Sequence, residues 1–243
     1  MRISSRCHAV LGLAYLPPWS VNAGIVTGEE VTLIVDTGAN ALAASTIHGY
    51  ATALRPGNRM MVINAEKHFD HIGGNSFFHD LGIDVYGHSE IERTEAEFAA
   101  EMADFKAAIM DPARQASGEE SAFYHATRLA NPNKSIRDDT GFELGNCSVD
   151  VLLTPGHTDT NISVYVPADG VLYCGDALTS VYLPNLDTGS VKVGWRQWLA
   201  SLDRIARLAP KAIVPGHGPA MIGEDVGRGI ERMRRILEEA IDG

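Results

Sequence analysis

Four times along this chain an apolar run ends by delivering a histidine or a carboxylate. Met60-Met61-Val62-Ile63 leads into Asn64-Ala65-Glu66-Lys67-His68-Phe69-Asp70-His71-Ile72-Gly73-Gly74-Asn75. Val149–Leu153 precedes Thr154-Pro155-Gly156-His157, Val171-Leu172-Tyr173-Cys174-Gly175 precedes Asp176, and Ala212–Val214 precedes Pro215-Gly216-His217. Such a repeat constrains the fold strongly. Buried strands whose carboxyl ends carry polar ligands must converge on one edge of a sheet, where α/β proteins form their clefts. Period-two alternation continued from strand 60–63 predicts that Glu66, His68 and Asp70 point the same way, with His71 at a turn. Gly73 and Gly74 permit close backbone approach just behind them. One short segment can then serve two adjacent cations. A lone Pro-Gly-His is more often a turn than a ligand, so the weight lies in the agreement of separate local signals.

The remaining pattern interleaves strands with helices, which indicates an α/β class. Strands are expected over 7–14, 21–27, 31–35, 60–63, 82–86, 150–153, 161–166, 170–174 and 212–214. Helices are expected over 40–54, 194–208 and 224–240. Arg2 and Arg6 precede an apolar stretch over 9–16 that imitates a short signal peptide, but Pro17-Pro18-Trp19 lacks a small-x-small cleavage site. A first β-strand is the expectation there. The segment at about 89–139 reads as an insertion of one or two helices within a single domain, 1–243. Its Phe98, Met102, Phe105 and Ile109 share one helix face, and Pro112 stops that helix. It is either a lid over the cleft or a packing hairpin remote from function.

Formal net charge is −11 with no polybasic run, which disfavours nucleic acid as a partner. No run approaches the ~20 apolar residues of a membrane helix. The three cysteines, Cys7, Cys147 and Cys174, are scattered and odd in number, so no disulfide framework or Cys-x-x-Cys site is available. A cytoplasmic, reducing location and a small-molecule substrate are the expectations. A homodimer contact through the last helix or the insertion stays open.

The order Glu66-x-His68-x-Asp70-His71, His157, Asp176, His217 resembles the metallo-β-lactamase superfamily, whose pattern is His-x-His-x-Asp-His, a distant His, an Asp and a final His. The resemblance spans about residues 20 to 222. It implies a four-layer αβ/βα sandwich holding two divalent metal ions, zinc first, with manganese or iron as alternatives. Carried over, Glu66, His68 and His157 bind the first metal. Asp70, His71 and His217 bind the second, Asp176 bridges both, and Asp36 braces the site from below. Asp70 and Asp176 are the catalytic candidates, Asp70 orienting a nucleophile. The departure is Glu66, which stands where the family has its first His and makes that site harder and more anionic.

The implied reaction is hydrolysis of an ester, thioester, lactone or similar bond by a metal-bridging hydroxide. The bridging Asp disfavours lactam hydrolysis. The hydroxyacylglutathione hydrolase branch has that Asp, but also a glutathione-binding helical extension for which the stretch after residue 222 is too short. The lactonase branch commonly has Tyr three residues after the bridging Asp. Here Thr179 stands there with Tyr182 further on, and both are candidates for substrate contact. The alternatives are an iron-dependent oxidoreductase on the same fold, a β-lactamase-like enzyme, and a non-enzymatic binding protein with a degenerate site.

Overall fold

The computed structural model describes residues 1–13, 20–109, 124–179 and 192–242. Two six-stranded sheets carry the fold. The first runs in spatial order β1 (Cys7–Val10), β2 (Ala23–Thr27), β3 (Val31–Val35), β4 (Arg59–Ile63), β5 (Val85–His88), β6 (Lys134–Ile136). The second contains β7 (Thr140–Glu143), β8 (Ser148–Leu153), β9 (Ile162–Val166), β10 (Val171–Tyr173), β11 (Ala212–Val214) and β12 (Met221–Ile222), again side by side in chain order. Among the described residues the helices are α1 (Ala41–Leu54), α2 (Phe69–Ile72), α3 (Asn75–Asp80), α4 (Glu95–Ile109), α5 (Lys192–Arg207) and α6 (Glu224–Asp242).

Alternation along the strands sets the layers. Val31, Leu33 and Val35 of β3 enter a core shared with Val149 and Val151 of β8 and with Ile162, Val164 and Val166 of β9. Ile34 points the other way, onto Ala44, Ile47 and Ala51 of α1 and Phe78 of α3. On the far side, Leu172 and Ile213 meet Trp198, Leu202 and Ile205 of α5. Val226, Ile230, Met233 and Leu237 of α6, one helical stripe, join the same cluster. The order is therefore helix, sheet, sheet, helix, the αβ/βα sandwich that the resemblance implies.

Local chemistry marks the helix starts. Asn40 caps α1 by accepting from the Ala43 amide at 2.7 Å. Thr94 and Glu97 form a capping box before α4, with reciprocal bonds of 2.8 and 3.3 Å.

Four expectations need correction. The strand alternation of β4 stops at Ile63, and α2 begins two residues before His71. The first strand ends at Val10, short of the expected 14. The strand expected over 82–86 lies at Val85–His88, because the turn out of α3 persists until then. Part of the 89–139 segment is not helical insertion, since Lys134–Ile136 pairs in parallel with β5 as an edge strand. Phe105, Ile109 and Pro112 belong to parts of the helix face and its stop whose side chains lie outside the described residues. Among the described residues no helix is long and apolar enough to cross a membrane.

Candidate metal centre

The loop between β4 and α2 is tied down before it delivers any ligand. The Asn64 amide donates to Tyr86 O at 2.8 Å, the Ala65 amide to Asp36 Oδ1 at 2.6 Å, and Ala65 O accepts from the Ile162 amide at 2.6 Å. The last bond ties it to the second sheet. His68 is the N-cap of the single turn α2, with extended backbone. Asp70 and His71 follow inside the helical turn and share one group with His217, whereas Glu66 and His68, which precede the turn, face His157, and that is how one hexapeptide addresses two places. The His71 carbonyl accepts from the Thr37 amide (3.1 Å), Thr37 Oγ1 (3.0 Å) and Asn64 Nδ2 (3.2 Å), fixing the turn.

The second sheet brings three more groups to the same edge. His157 lies beyond β8, Asp176 in a 3₁₀ turn (Gly175–Ala177) beyond β10, and His217 beyond β11. Their turns need glycine. A Cβ on Gly216 would sit 1.9 Å from Asp176 Oδ1, and Gly175 has φ +51 with Ala65 Cβ 2.7 Å from where its own Cβ would be. The sheets are joined here as well. Asn22, just before β2, donates through Nδ2 to Pro215 O (2.9 Å) and Gly218 O (2.7 Å), and its amide donates to Gly216 O (2.7 Å).

All seven predicted ligands meet. Among the described residues their ligand atoms form three compact groups: Glu66, His68 and His157; Asp70, His71 and His217; and Glu66, His71 and Asp176. In the first, Glu66 Oε1 is 3.0 Å from His68 Nδ1 and 3.6 Å from His157 Nε2, and those two nitrogens are 3.2 Å apart. In the second, His217 Nε2 is 3.1 Å from Asp70 Oδ2, and His71 Nε2 is 4.0 Å from that oxygen. Asp176 lies between, with Oδ2 at 3.5 Å from His157 Nε2 and 3.4 Å from His217 Nε2, and Oδ1 at 3.6 Å from His71 Nε2.

Outer partners aim the rings inward. His71 Nδ1 lies 2.9 Å from Asp36 Oδ2, and His217 Nδ1 lies 3.0 Å from Ser20 O. A ring that donates its Nδ1 proton outward presents the Nε2 lone pair to the cluster. Asp36 is at φ +66, an uncommon backbone conformation that short polar side chains tolerate best. Both its oxygens are engaged, one with the loop amide of Ala65 and one with His71.

The carboxylates and imidazoles of the cluster act strongly on one another. Burial would raise the Glu66 carboxyl, but positive charge on His68 and the hydrogen bond from its ring hold it below its ordinary value. Asp70, opposed in the same way by burial, is pushed down to about 2 by His71 and His217. Asp176 is held well below the usual range, burial being outweighed by His217 and His71. The rings respond in kind. Burial disfavours their charge, yet Glu66 pushes His68 up to about 9, Asp176 pushes His217 up to about 10, and Asp36 and Asp70 drive His71 well upward. Carboxylates and rings thus favour each other's charged forms. Glu66 Oε2 and His71 Nε2 are buried with no hydrogen-bond partner among the described residues. Buried polar atoms in that state are costly, and a divalent cation satisfies both. The donor set of imidazole and carboxylate fits zinc, manganese or iron.

Sequence reasoning missed the residues that hold the ligand loop from behind. Arg93 Nη1 donates to Lys67 O (2.8 Å) and to Glu101 Oε2 (3.0 Å), and the Phe69 amide donates to the same Glu101 oxygen (2.9 Å). The Phe69 ring packs edge-on to Phe98 with centroids 5.0 Å apart. The described part of the insertion is therefore a buttress against the ligand loop. Lys67 Nζ also reaches Asp159 Oδ1 at 2.6 Å, linking the loops that carry His68 and His157. Thr179 is buried just past the 3₁₀ turn, and Tyr182 lies outside the described residues.

Known proteins agree with this architecture. The sequence profile of the metallo-beta-lactamase superfamily matches residues 16–217. A hydroxyacylglutathione hydrolase from Methylococcus capsulatus is 26% identical over 147 residues, which are 60% of this chain and 43% of that protein. A linear primary-alkylsulfatase from Pseudomonas sp. is 27% identical over 118 residues, 48% of this chain and 22% of that one. These matches therefore span less than half the length of either relative. A metallo-beta-lactamase family protein from Thermus thermophilus superposes with a TM-score of 0.72 at 24% identity, covering 98% of this chain and 81% of that one. A metallo-beta-lactamase from Pontibacter korlensis gives 0.69 at 18% identity, covering 98% and 97%. The chain belongs to the metallo-beta-lactamase superfamily.

Proposed function

We propose that this chain is a metal-dependent hydrolase holding two divalent cations, which cleaves an ester, thioester, lactone or sulfate ester in a small molecule. The observation that carries the reading is the placement of Asp176, whose two oxygens lie 3.4–3.6 Å from ring nitrogens of both flanking groups. Glu66, His68 and His157 hold one cation, and Asp70, His71 and His217 the other. Zinc is the first candidate and manganese the second. Bound there, the cations supply an acidified water as nucleophile and an electrophile for the scissile group. Asp70 is partly exposed while Asp176 is buried, so Asp70 is the carboxylate placed to orient an incoming water. Asp36 and Ser20 O keep the rings of His71 and His217 in the tautomer that donates inward lone pairs. The relatives named hydroxyacylglutathione hydrolase and alkylsulfatase support a thioester or sulfate ester as the bond to try first.

The test is elemental analysis of protein purified without chelator, followed by assays with hydroxyacylglutathione thioesters, lactones and alkyl sulfates. Near two equivalents of zinc or manganese and turnover of one panel support the reading. Asp70→Asn is expected to lower turnover by ~100-fold or more if that carboxylate positions the nucleophile. Bound iron with oxygen consumption and no hydrolysis would replace the proposal with an oxidoreductase. Absence of any bound metal would end it.

A further inference from the structure

Glu66 reaches ring nitrogens of both groups. Its Oε1 is 3.0 and 3.6 Å from His68 Nδ1 and His157 Nε2 of one group, but also 3.3 Å from His71 Nε2 of the other. With His71 and Asp176 it forms a third compact group whose members are drawn from both cation positions. Its second oxygen, Oε2, is buried and has no hydrogen-bond partner among the described residues. An imidazole turns one nitrogen inward, whereas a carboxylate offers two oxygens with several lone pairs. The side chain at position 66 is therefore equipped to reach both cations.

We propose that Glu66 is a second bridging carboxylate, spanning the two cations alongside Asp176, so that the positions fill as a pair. The inference rests on the two-cation reading above and goes beyond it, because a first-site ligand alone would affect the second site no more than His157 does. Charge acts in the same direction. Glu66, Asp70 and Asp176 place three negative charges on two dications with the rings neutral, so the pair carries less net charge than it would with a histidine at 66. Repulsion between the cations falls, and harder ions such as Mn²⁺ gain relative to zinc.

The experiment titrates Mn²⁺ alone into metal-free wild type, Glu66→Gln, Glu66→His and His157→Ala, following binding by calorimetry and the manganese by electron paramagnetic resonance. Wild type is expected to take up two equivalents in one transition, with a spin-coupled signal from the first additions. His157→Ala removes a first-group ligand only and serves as the reference for losing that site. Glu66→Gln is expected to weaken the surviving second site by roughly tenfold or more relative to His157→Ala, since losing even an indirect ligand contact costs that much. Equal second-site affinities in these two variants would overturn the bridge. Glu66→His, which restores a nitrogen and leaves Asp176 in place, is expected to fill less cooperatively than wild type, and filling as tightly paired as that of wild type would overturn the bridge as well. Should Glu66→Gln not fold, the wild type still decides: an uncoupled signal at one equivalent overturns the inference. A wild type that binds two cations independently removes this inference and leaves the hydrolase reading intact, whereas one that binds none removes both.

Discussion

Among single residues, Asp36 shows how the site is held from outside. Its carboxylate links the Ala65 amide to His71, from a backbone conformation that costs most residues of order 1 kcal/mol or more. Asn tolerates that conformation, so Asp36→Asn is expected to keep the fold while weakening metal binding by about 10–100-fold, the usual result of removing a ligand's outer partner. Calorimetric titration checks it, and unchanged affinity would show that His71 needs no carboxylate behind it. The titrating groups give a second expectation. The folded values of His68 and His217, about 9 and about 10, lie above the ordinary 6.5, so in metal-free protein their contribution to stability is fully present below pH 6.5. It is lost as pH rises through 9 and 10. Asp70, at about 2, has the opposite sign: its contribution is present above its ordinary 3.8 and lost as pH falls below that. The melting temperature of chelated protein should therefore fall from pH 7 to 10, while that of metal-loaded protein, whose rings are already deprotonated, should change little. Parallel curves would contradict this.

At the level of elements, what could be read from sequence was what local chemistry dictates. His157, Asp176 and His217 each follow an apolar strand by a short glycine turn, and the structure delivers all three to one edge. The direction of the Glu66–His71 loop could not be read that way. Strand alternation was expected to aim it, but α2 does, and the turn depends on bonds from Thr37 and Asn64 to the His71 carbonyl. The reach of Glu66 to both groups is likewise a product of that turn. Arg93 and Glu101 were invisible for a related reason: their loop partners lie 26 and 32 residues away in sequence and are backbone atoms, which leave no motif. The lid alternative for the insertion had no local signal to decide it either. Glu101→Ala frees the Phe69 amide and leaves Arg93 with its bond to Lys67 O alone, and because Glu101 is about one-third exposed the expected cost is about 1–2 kcal/mol. Metal affinity should drop with it. Chemical denaturation and metal titration of the variant measure the two effects, and loss of stability without loss of affinity would make the contact a packing detail.

Over the whole molecule, the centre lies where two sheets with a common core meet, and each sheet contributes its own share of it. Glu66, His68, Asp70 and His71 follow β4 of the first, whereas His157, Asp176 and His217 follow strands of the second. A cation bound there touches only the folded arrangement, so it stabilises by mass action: about 2.7 kcal/mol at a free concentration one hundred times its dissociation constant. Chelation is expected to lower the melting temperature, and hydrogen exchange should quicken in strands of both sheets rather than in one. Exchange confined to the second sheet would mean that the halves are coupled mainly through the shared core. The division of ligands also follows the order of synthesis. Severed in the exposed stretch between Ile136 and Thr140, the chain would part into one fragment carrying four of the candidate ligands and another carrying three. If the two-cation proposal holds, neither fragment completes a coordination shell of its own for both ions, and reassembly of the two is expected to be gated by metal, which would make the protein a scaffold for a split reporter of divalent cations.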